Sequence, residues 1–294
     1  MADIERQTVI TDLTISLTSL ASPPPNSALN PTKWHRIQKD LFLHSSEMSA
    51  WLIIAQAKES DLAPEDLVVA NINVGKPTVN EGLDDSRQSR PGGIWISRKY
   101  FSGNISQVVT GIDVLFGVDA VDPRQQWQLM RSHLELDAAA EVPVARLSVR
   151  HGRAKSRDES PHTTLRVREN GTFKIVQISD THMVTGVGSC KDAINSNGQF
   201  LPESVADPLT VRFLEEMLDI EKPDLVLLTG DQVHHDIPDT QSALFKVVAP
   251  LIERSIPFAA VFGNHDSEGA YALSREYHLQ CIDLLAEHLI LSDG

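Results

Sequence analysis

A chain of 294 residues, 41% of them hydrophobic, is long enough for two domains of ordinary size and too apolar for its bulk to be disordered. Its 26 basic against 40 acidic side chains leave a formal charge of -14, which argues against a nucleic-acid grip because phosphate backbones demand a basic face; an anionic substrate stays open if metals supply positive charge locally. The two cysteines, Cys190 and Cys281, argue against a disulfide scaffold and form no CxxC motif.

Met1–Leu20 lacks a basic start followed by an apolar core, so neither a signal peptide nor a membrane segment is expected, and the cytoplasm is the expected compartment. Asn104-Ile105-Ser106 and Asn170-Gly171-Thr172 match the glycosylation pattern, and without a secretion signal both read as turn chemistry. The first half reads as β. Residues 8–20 alternate apolar and polar, and further strands are expected at 39–44, 51–57, 67–74, 93–97 and 108–116. Turn signals punctuate them at Pro23-Pro24-Pro25, Asn71, Gly75, Pro91-Gly92-Gly93 and Gly103-Asn104, which predicts a sandwich or barrel. All four tryptophans (Trp34, Trp51, Trp95, Trp127) fall here and are expected to pack in the core. The basic run from Arg150 to Arg157 reads as the start of a solvated connector. The expected organisation is a β-rich domain at 1–150, a linker at 151–169 and a second domain at 170–294.

Beyond the linker the rhythm becomes β-α. Asn170-Gly171 is a turn pair, followed by an apolar strand at 173–179. Asp207-Pro208 reads as a helix N-cap and first-turn proline, and Lys222-Pro223 as the end of that helix. A buried strand follows at 224–229. Asp239-Thr240 caps a second helix, a third strand covers 257–262, and a last helix is expected from about 269 to 290.

Each of these three strands runs into a polar motif: Asp180-Thr181-His182, Gly230-Asp231, and Gly263-Asn264-His265-Asp266. Strands joined by helical crossovers lie parallel, and ligands bind beyond their carboxyl ends. The three motifs therefore converge on one rim. They supply carboxylate, imidazole and amide oxygen, the donors for a pair of divalent metals that share a carboxylate. Asp231 is the candidate bridging carboxylate. Asp180 and His182 suit one ion and Asn264 the other, while His265 is placed to protonate a departing oxygen and Asp266 to orient a neighbour.

These blocks resemble the first three signature motifs of the calcineurin-like metallophosphoesterases. The longer text (KIVQISDTHMVTGVG, EKPDLVLLTGDQVHHDIPD, SIPFAAVFGNHDSEG, and DVLFGVDAVDPR upstream) resembles the fungal branch related to plant purple acid phosphatases, over most of residues 8–272. The resemblance implies an α/β fold, a β-sandwich flanked by helices that is incomplete here, preceded by the mostly β domain. It implies two metal ions (Fe, Zn or Mn), with Asp180, His182 and Asp231 matching ligands of the first, Asp231 and Asn264 ligands of the second, and His265 the catalytic histidine, the hydroxide between the ions attacking phosphorus in line. Two departures qualify it. His234 stands where purple members carry tyrosine, so a purple ferric centre is not expected and His234 is itself a candidate ligand. The later His and Gly-His-x-His ligands have no counterpart. His278 and His288 lie in a predicted amphipathic helix, and the chain reads as truncated before the final ligand motifs.

The expected function is a metal-dependent phosphoric monoester hydrolase acting on a phosphoprotein or small phosphate ester. The alternatives are an inert fragment serving as an interaction module and a phosphodiesterase on the same fold. An uncovered sheet edge is expected to favour self-association.

Overall fold

The computed structural model describes residues 7–19, 32–43, 47–75, 87–154, 165–200 and 205–268, with 274 and 276. The chain forms two compact units, Met1–Val114 with Gln125–Ala154, and Leu115–Arg124 with Lys155–Gly294. Among the described residues no helix is long and apolar enough to cross a membrane.

The first unit is β-rich. Its strands are β1 (Thr8–Ser19), β2 (Trp34–Asp40), β3 (Met48–Lys58), β4 (Leu67–Val74), β5 (Arg87–Arg90), β6 (Ile94–Tyr100), β7 (Val109–Phe116, whose end passes into the second unit), β8 (Trp127–Leu129) and β9 (Ala145–His151). They make three three-stranded sheets in the orders β1-β3-β2, β4-β6-β5 and β7-β9-β8. In β1 the pairing shifts between Ile10 and Asp12. This bulge absorbs one residue, so Ile10, Leu13 and Ile15 share the buried face. Asp12 at the bulge receives the Arg90 guanidinium at 2.8 Å, which ties down the polar strand β5. Such a strand has no apolar alternation to reveal it in the sequence.

Several local expectations change. Asn71 marks a bulge inside β4, not a turn. The strand expected at 39–44 lies at Trp34–Asp40, because Asp40 Oδ1 accepts the Phe42 N–H at 2.7 Å and Phe42 turns to a φ of 51°; residues 44–46 lie outside those described. The start of the basic run is strand, since Arg150 and His151 belong to β9 and the Arg150 guanidinium lies 5.4 Å over the Trp127 ring. The tryptophans are half-buried, with Arg36 lying 4.2 Å over Trp51. Fully buried aliphatic positions include Val9, Leu13, Leu52, Val68, Ile72, Ile94 and Ile96. Both glycosylation-like sequences are turns, as Asn104 Oδ1 accepts from Ser106 N and Asn170 Oδ1 from Thr172 N. The Pro23-Pro24-Pro25 signal falls outside the described residues.

The second unit is α/β. Strands β10 (Ile175–Ile178), β11 (Leu225–Thr229) and β12 (Phe258–Val261) form a parallel sheet in that order. Helix α1 (Ala206–Glu221) links the first pair and α2 (Thr240–Glu253) the second. The middle strand buries Val226 and Leu228 on one face and Leu225 on the other, where Leu227 and Thr229 are only half-buried, so the burial expected on both faces is complete on one. Every residue of α2 from Thr240 to Leu251 is buried. Asp239 caps it by accepting the Ser242 N–H at 2.9 Å. Lys222 ends α1 in the left-handed conformation ahead of Pro223. The expected N-cap at Asp207 is corrected. Val205 holds the cap position, and Asp207 is a buried residue of the first turn whose carboxylate is engaged elsewhere. The helix expected near 269–290 lies outside the described residues, Ser274 and Glu276 apart.

Asp224 fastens the entry to the sheet. It accepts the Lys174 N–H at 2.7 Å and the Arg168 guanidinium at 2.9 Å, and these bonds, the backbone one first, hold its pKa below the usual carboxylate value. A depressed carboxyl pKa stabilises the fold above the unfolded value of about 3.9, and that contribution is lost as pH falls through the folded pKa. Urea midpoints of the parent and Asp224→Asn should therefore differ near neutral pH and converge only below about pH 3.9. Equal midpoints at neutral pH would contradict this.

Candidate metal centre

The parallel pairing of β10 and β11 continues into the loops beyond them. Asp180 N donates to Gly230 O (3.1 Å), His182 N to Asp231 O (3.1 Å), Met183 N to Gln232 O (3.0 Å) and His234 N to Met183 O (2.9 Å). The loops carrying the first two motifs are thus hydrogen-bonded side by side. Asp180, His182 and Asp231 all take left-handed backbone angles, with φ of 56°, 45° and 52°. Such angles cost a side-chain-bearing residue about 1 kcal/mol or more each, and strain of this kind gathers at functional sites.

The carboxylates of Asp180 and Asp231 and the ring of His182 each offer a donor atom, and these atoms lie within 4.8 Å of one another. His182 Nδ1 is buried and has no hydrogen-bond partner. Two carboxylates and an imidazole with a free lone pair suit Zn, Fe or Mn, so the residues present fit one ion. Asp180 is open, its side chain 65% exposed, so the site is reachable from solvent.

The third motif is brought in by hydrogen bonds rather than sheet pairing. His265 N donates to Asp231 Oδ1 at 2.9 Å, which leaves the other carboxylate oxygen of Asp231 unengaged by this bond. Asn264, exposed and adjacent, lies on the same rim. Asp266 has a different position from the rest. It is buried, and its carboxylate accepts Asp231 N (2.9 Å), Val233 N (3.0 Å) and Gly263 N (2.8 Å). Its role is therefore to hold two loops together, away from any reacting atoms. The packing is tight enough that a Cβ on Gly230 would fall within 3 Å of the Gly263 backbone, and one on Gly263 would overlap the Asp231 carboxylate.

Histidines crowd the opening. The His182 ring lies 5.0 Å from His265 and 5.7 Å from His234, and His235 lies 4.2 Å from His234 and 5.0 Å from His265. Desolvation, then repulsion from His235, His182 and His265, lowers the pKa of His234 and favours its neutral form. His265 Nδ1 lies 3.1 Å from the Glu268 carboxylate. Two contributors were weakly signalled by the sequence. His235 is marked only by adjacency to His234. Gln232 is buried, donates to Gly230 O at 2.7 Å, and looks in sequence like an ordinary loop residue. His278 and His288 lie outside the described residues.

Residues 173–290 match the family described as calcineurin-like phosphoesterase. Phosphatase DCR2 of Saccharomyces cerevisiae is 38% identical over 164 residues, which is 55% of this chain and 27% of that protein. Probable inactive purple acid phosphatase 28 of Arabidopsis thaliana is 40% identical over 111 residues, 37% of this chain and 27% of that protein. The chain thus spans little more than a quarter of the length of either relative.

Removing the Asp266 carboxylate leaves three backbone N–H groups without their acceptor, each worth about 1 kcal/mol or more. Asp266→Ala is expected to lower the unfolding free energy by about 3 kcal/mol in urea titration. Gly263→Ala should destabilise by about 1–3 kcal/mol through overpacking against Asp231. A loss under about 0.5 kcal/mol in either variant would show that the junction of the loops does not depend on these contacts.

Proposed function

We propose, on the match of residues 173–290 to the calcineurin-like phosphoesterase family, that the chain belongs to a metal-dependent phosphoric monoester hydrolase acting on a phosphoprotein or small phosphate ester. The observation that carries this reading is the meeting of Asp180, His182 and Asp231 at the carboxyl end of a parallel sheet, with His265 hydrogen-bonded to Asp231 through its backbone.

Asp180, His182 and Asp231 would hold one ion; Asp231 and Asn264, with His234 as a further donor, would be the groups available to a second. An ion held there supplies Lewis acidity toward phosphoryl oxygens and a nucleophile derived from water at neutral pH. The protein's own groups do the rest. Asp231 is kept in place by the His265 N–H and by the Asp266 bond to its own backbone. The imidazole of His265 donates a proton to the leaving oxygen, and His234 and His235 line the opening where phosphate oxygens enter.

A second reading, a domain that binds metal with little turnover, has a specific support. The donor group of Asp180, His182 and Asp231 holds three acidic or imidazole donors, enough for one ion. Both readings meet in one experiment. The protein is reconstituted with Mn or Zn, its metal content is measured by mass spectrometry, and hydrolysis of an aryl phosphate monoester is compared with that of a diester. We expect about one tightly held ion per chain and monoester preference, with Asp231→Asn weakening metal binding by about 100-fold and abolishing turnover. Loading without turnover supports the second reading; diester preference points to a phosphodiesterase; negligible loading rejects a metal centre.

A further inference from the structure

The described residues from 183 to 200 form no helix or named strand, yet several of them are pinned by hydrogen bonds. Thr185 Oγ1 exchanges hydrogen bonds with the backbone of Asp239, donating to its carbonyl at 3.0 Å and accepting its N–H at 2.9 Å. Val184 N donates to Asp207 Oδ2 at 2.9 Å, and Asp207 N donates to Val187 O at 3.0 Å. At the centre is Lys246, on α2, with a side chain only 3% exposed. Its ammonium donates to Asp207 Oδ2 (2.5 Å), Gly186 O (2.6 Å) and Asp119 Oδ2 (2.9 Å). An ammonium has three donors, and all three are used.

A lysine this deeply buried is uncommon, and here its function is specific. One of its acceptors, Gly186 O, belongs to the loop, and another, Asp207 Oδ2, binds the loop in turn through Val184 N. Burial pushes the Asp207 carboxyl above its ordinary range, while the Lys246 hydrogen bond and charge pull it down. Without the ammonium, Asp207 favours its neutral form and is a poorer acceptor for Val184. Val184 lies two residues from His182, and Met183 between them is paired to the loop of Asp231.

We propose that Lys246 is a positioning residue for the metal centre: through Asp207 and Gly186 it fixes the segment after His182 and so sets the placement of the His182 ring against Asp180 and Asp231. The segment is held from both sides, by the Asp231 loop before Val184 and by α2 and α1 after it. The metal part of this proposal rests on the functional reading above; the loop part does not.

The test uses Lys246→Met, which keeps the stem and removes the charge, beside Leu218→Ala, a buried α1 site that destabilises by leaving a cavity. In metal-free protein, hydrogen exchange at Met183 and Val184 should quicken about tenfold in Lys246→Met relative to the β11 amides, as expected for loss of one buried hydrogen bond, and not in Leu218→Ala. Mn affinity should fall about tenfold in Lys246→Met and change less than about twofold in Leu218→Ala. Lys246→Met with a lowered Tm but unchanged loop exchange and Mn affinity overturns the proposal, because a purely structural residue behaves that way. Quickened exchange with unchanged Mn affinity also overturns it. Should Lys246→Met fail to fold, Asp119→Ala, which removes one acceptor and keeps the Lys246–Asp207 pair, takes its place: the same changes in exchange and Mn affinity, at smaller amplitude, support the proposal, and their absence overturns it. If the parent protein binds no Mn, the functional reading fails; loop exchange alone then decides whether Lys246 holds the segment.

Discussion

The carboxylate of Asp266 is the contact on which the arrangement of the second unit's rim depends. It accepts backbone N–H groups from Asp231, Val233 and Gly263, and so joins the loop after the middle strand to the loop after the last one. Each of these amides needs an acceptor once buried, and a charged acceptor makes stronger bonds to them than a neutral group does. Because the clamp engages Asp231 at its backbone, it leaves the Asp231 side chain turned to the rim, where Oδ1 accepts from His265.

Around that contact the chain tolerates geometry that would be costly elsewhere. Three left-handed residues, Asp180, His182 and Asp231, coincide with the three donors, and the backbones of Gly230 and Gly263 approach too closely for side chains. Strain of this kind persists only when its surroundings over-determine it. Here they do: the two ligand loops pair along their lengths, Gln232 fills the space behind Gly230, and buried carboxylates hold the loops from beneath. The outcome is a donor group whose backbone is fixed by the protein's own contacts, which lowers the cost of ordering it.

The unit also shows how buried charge can organise a loop rather than a core. Lys246, Asp207 and Asp119 come from three separate segments, and their mutual attraction offsets desolvation only because each polar atom of the ammonium is matched. The network reaches the segment that follows His182 through Gly186 O and Val184 N.

Much of this was legible in the amino-acid order of residues 170–268. Alternation of apolar runs with capped helical patterns dictated a parallel sheet, and the polar motifs at the ends of three runs had then to share one rim, because parallel strands present the same end together. Donor types followed from the residues themselves. Other features had no local signal. Asp207 before Pro208 has the form of an N-cap, and only the approach of Lys246, 39 residues away, draws its carboxylate inward. Asp266 resembles its motif neighbours in sequence, yet the geometry buries it beneath them. In the first unit, β5 is polar and Asn71 mimics a turn, because ion pairs and bulges there replace the apolar alternation that reveals a strand. Local pattern reports periodicity and capping, which are properties of neighbours in the chain. Pairing of buried charges and backbone amides joins residues far apart in sequence, and only the tertiary structure decides which of them meet.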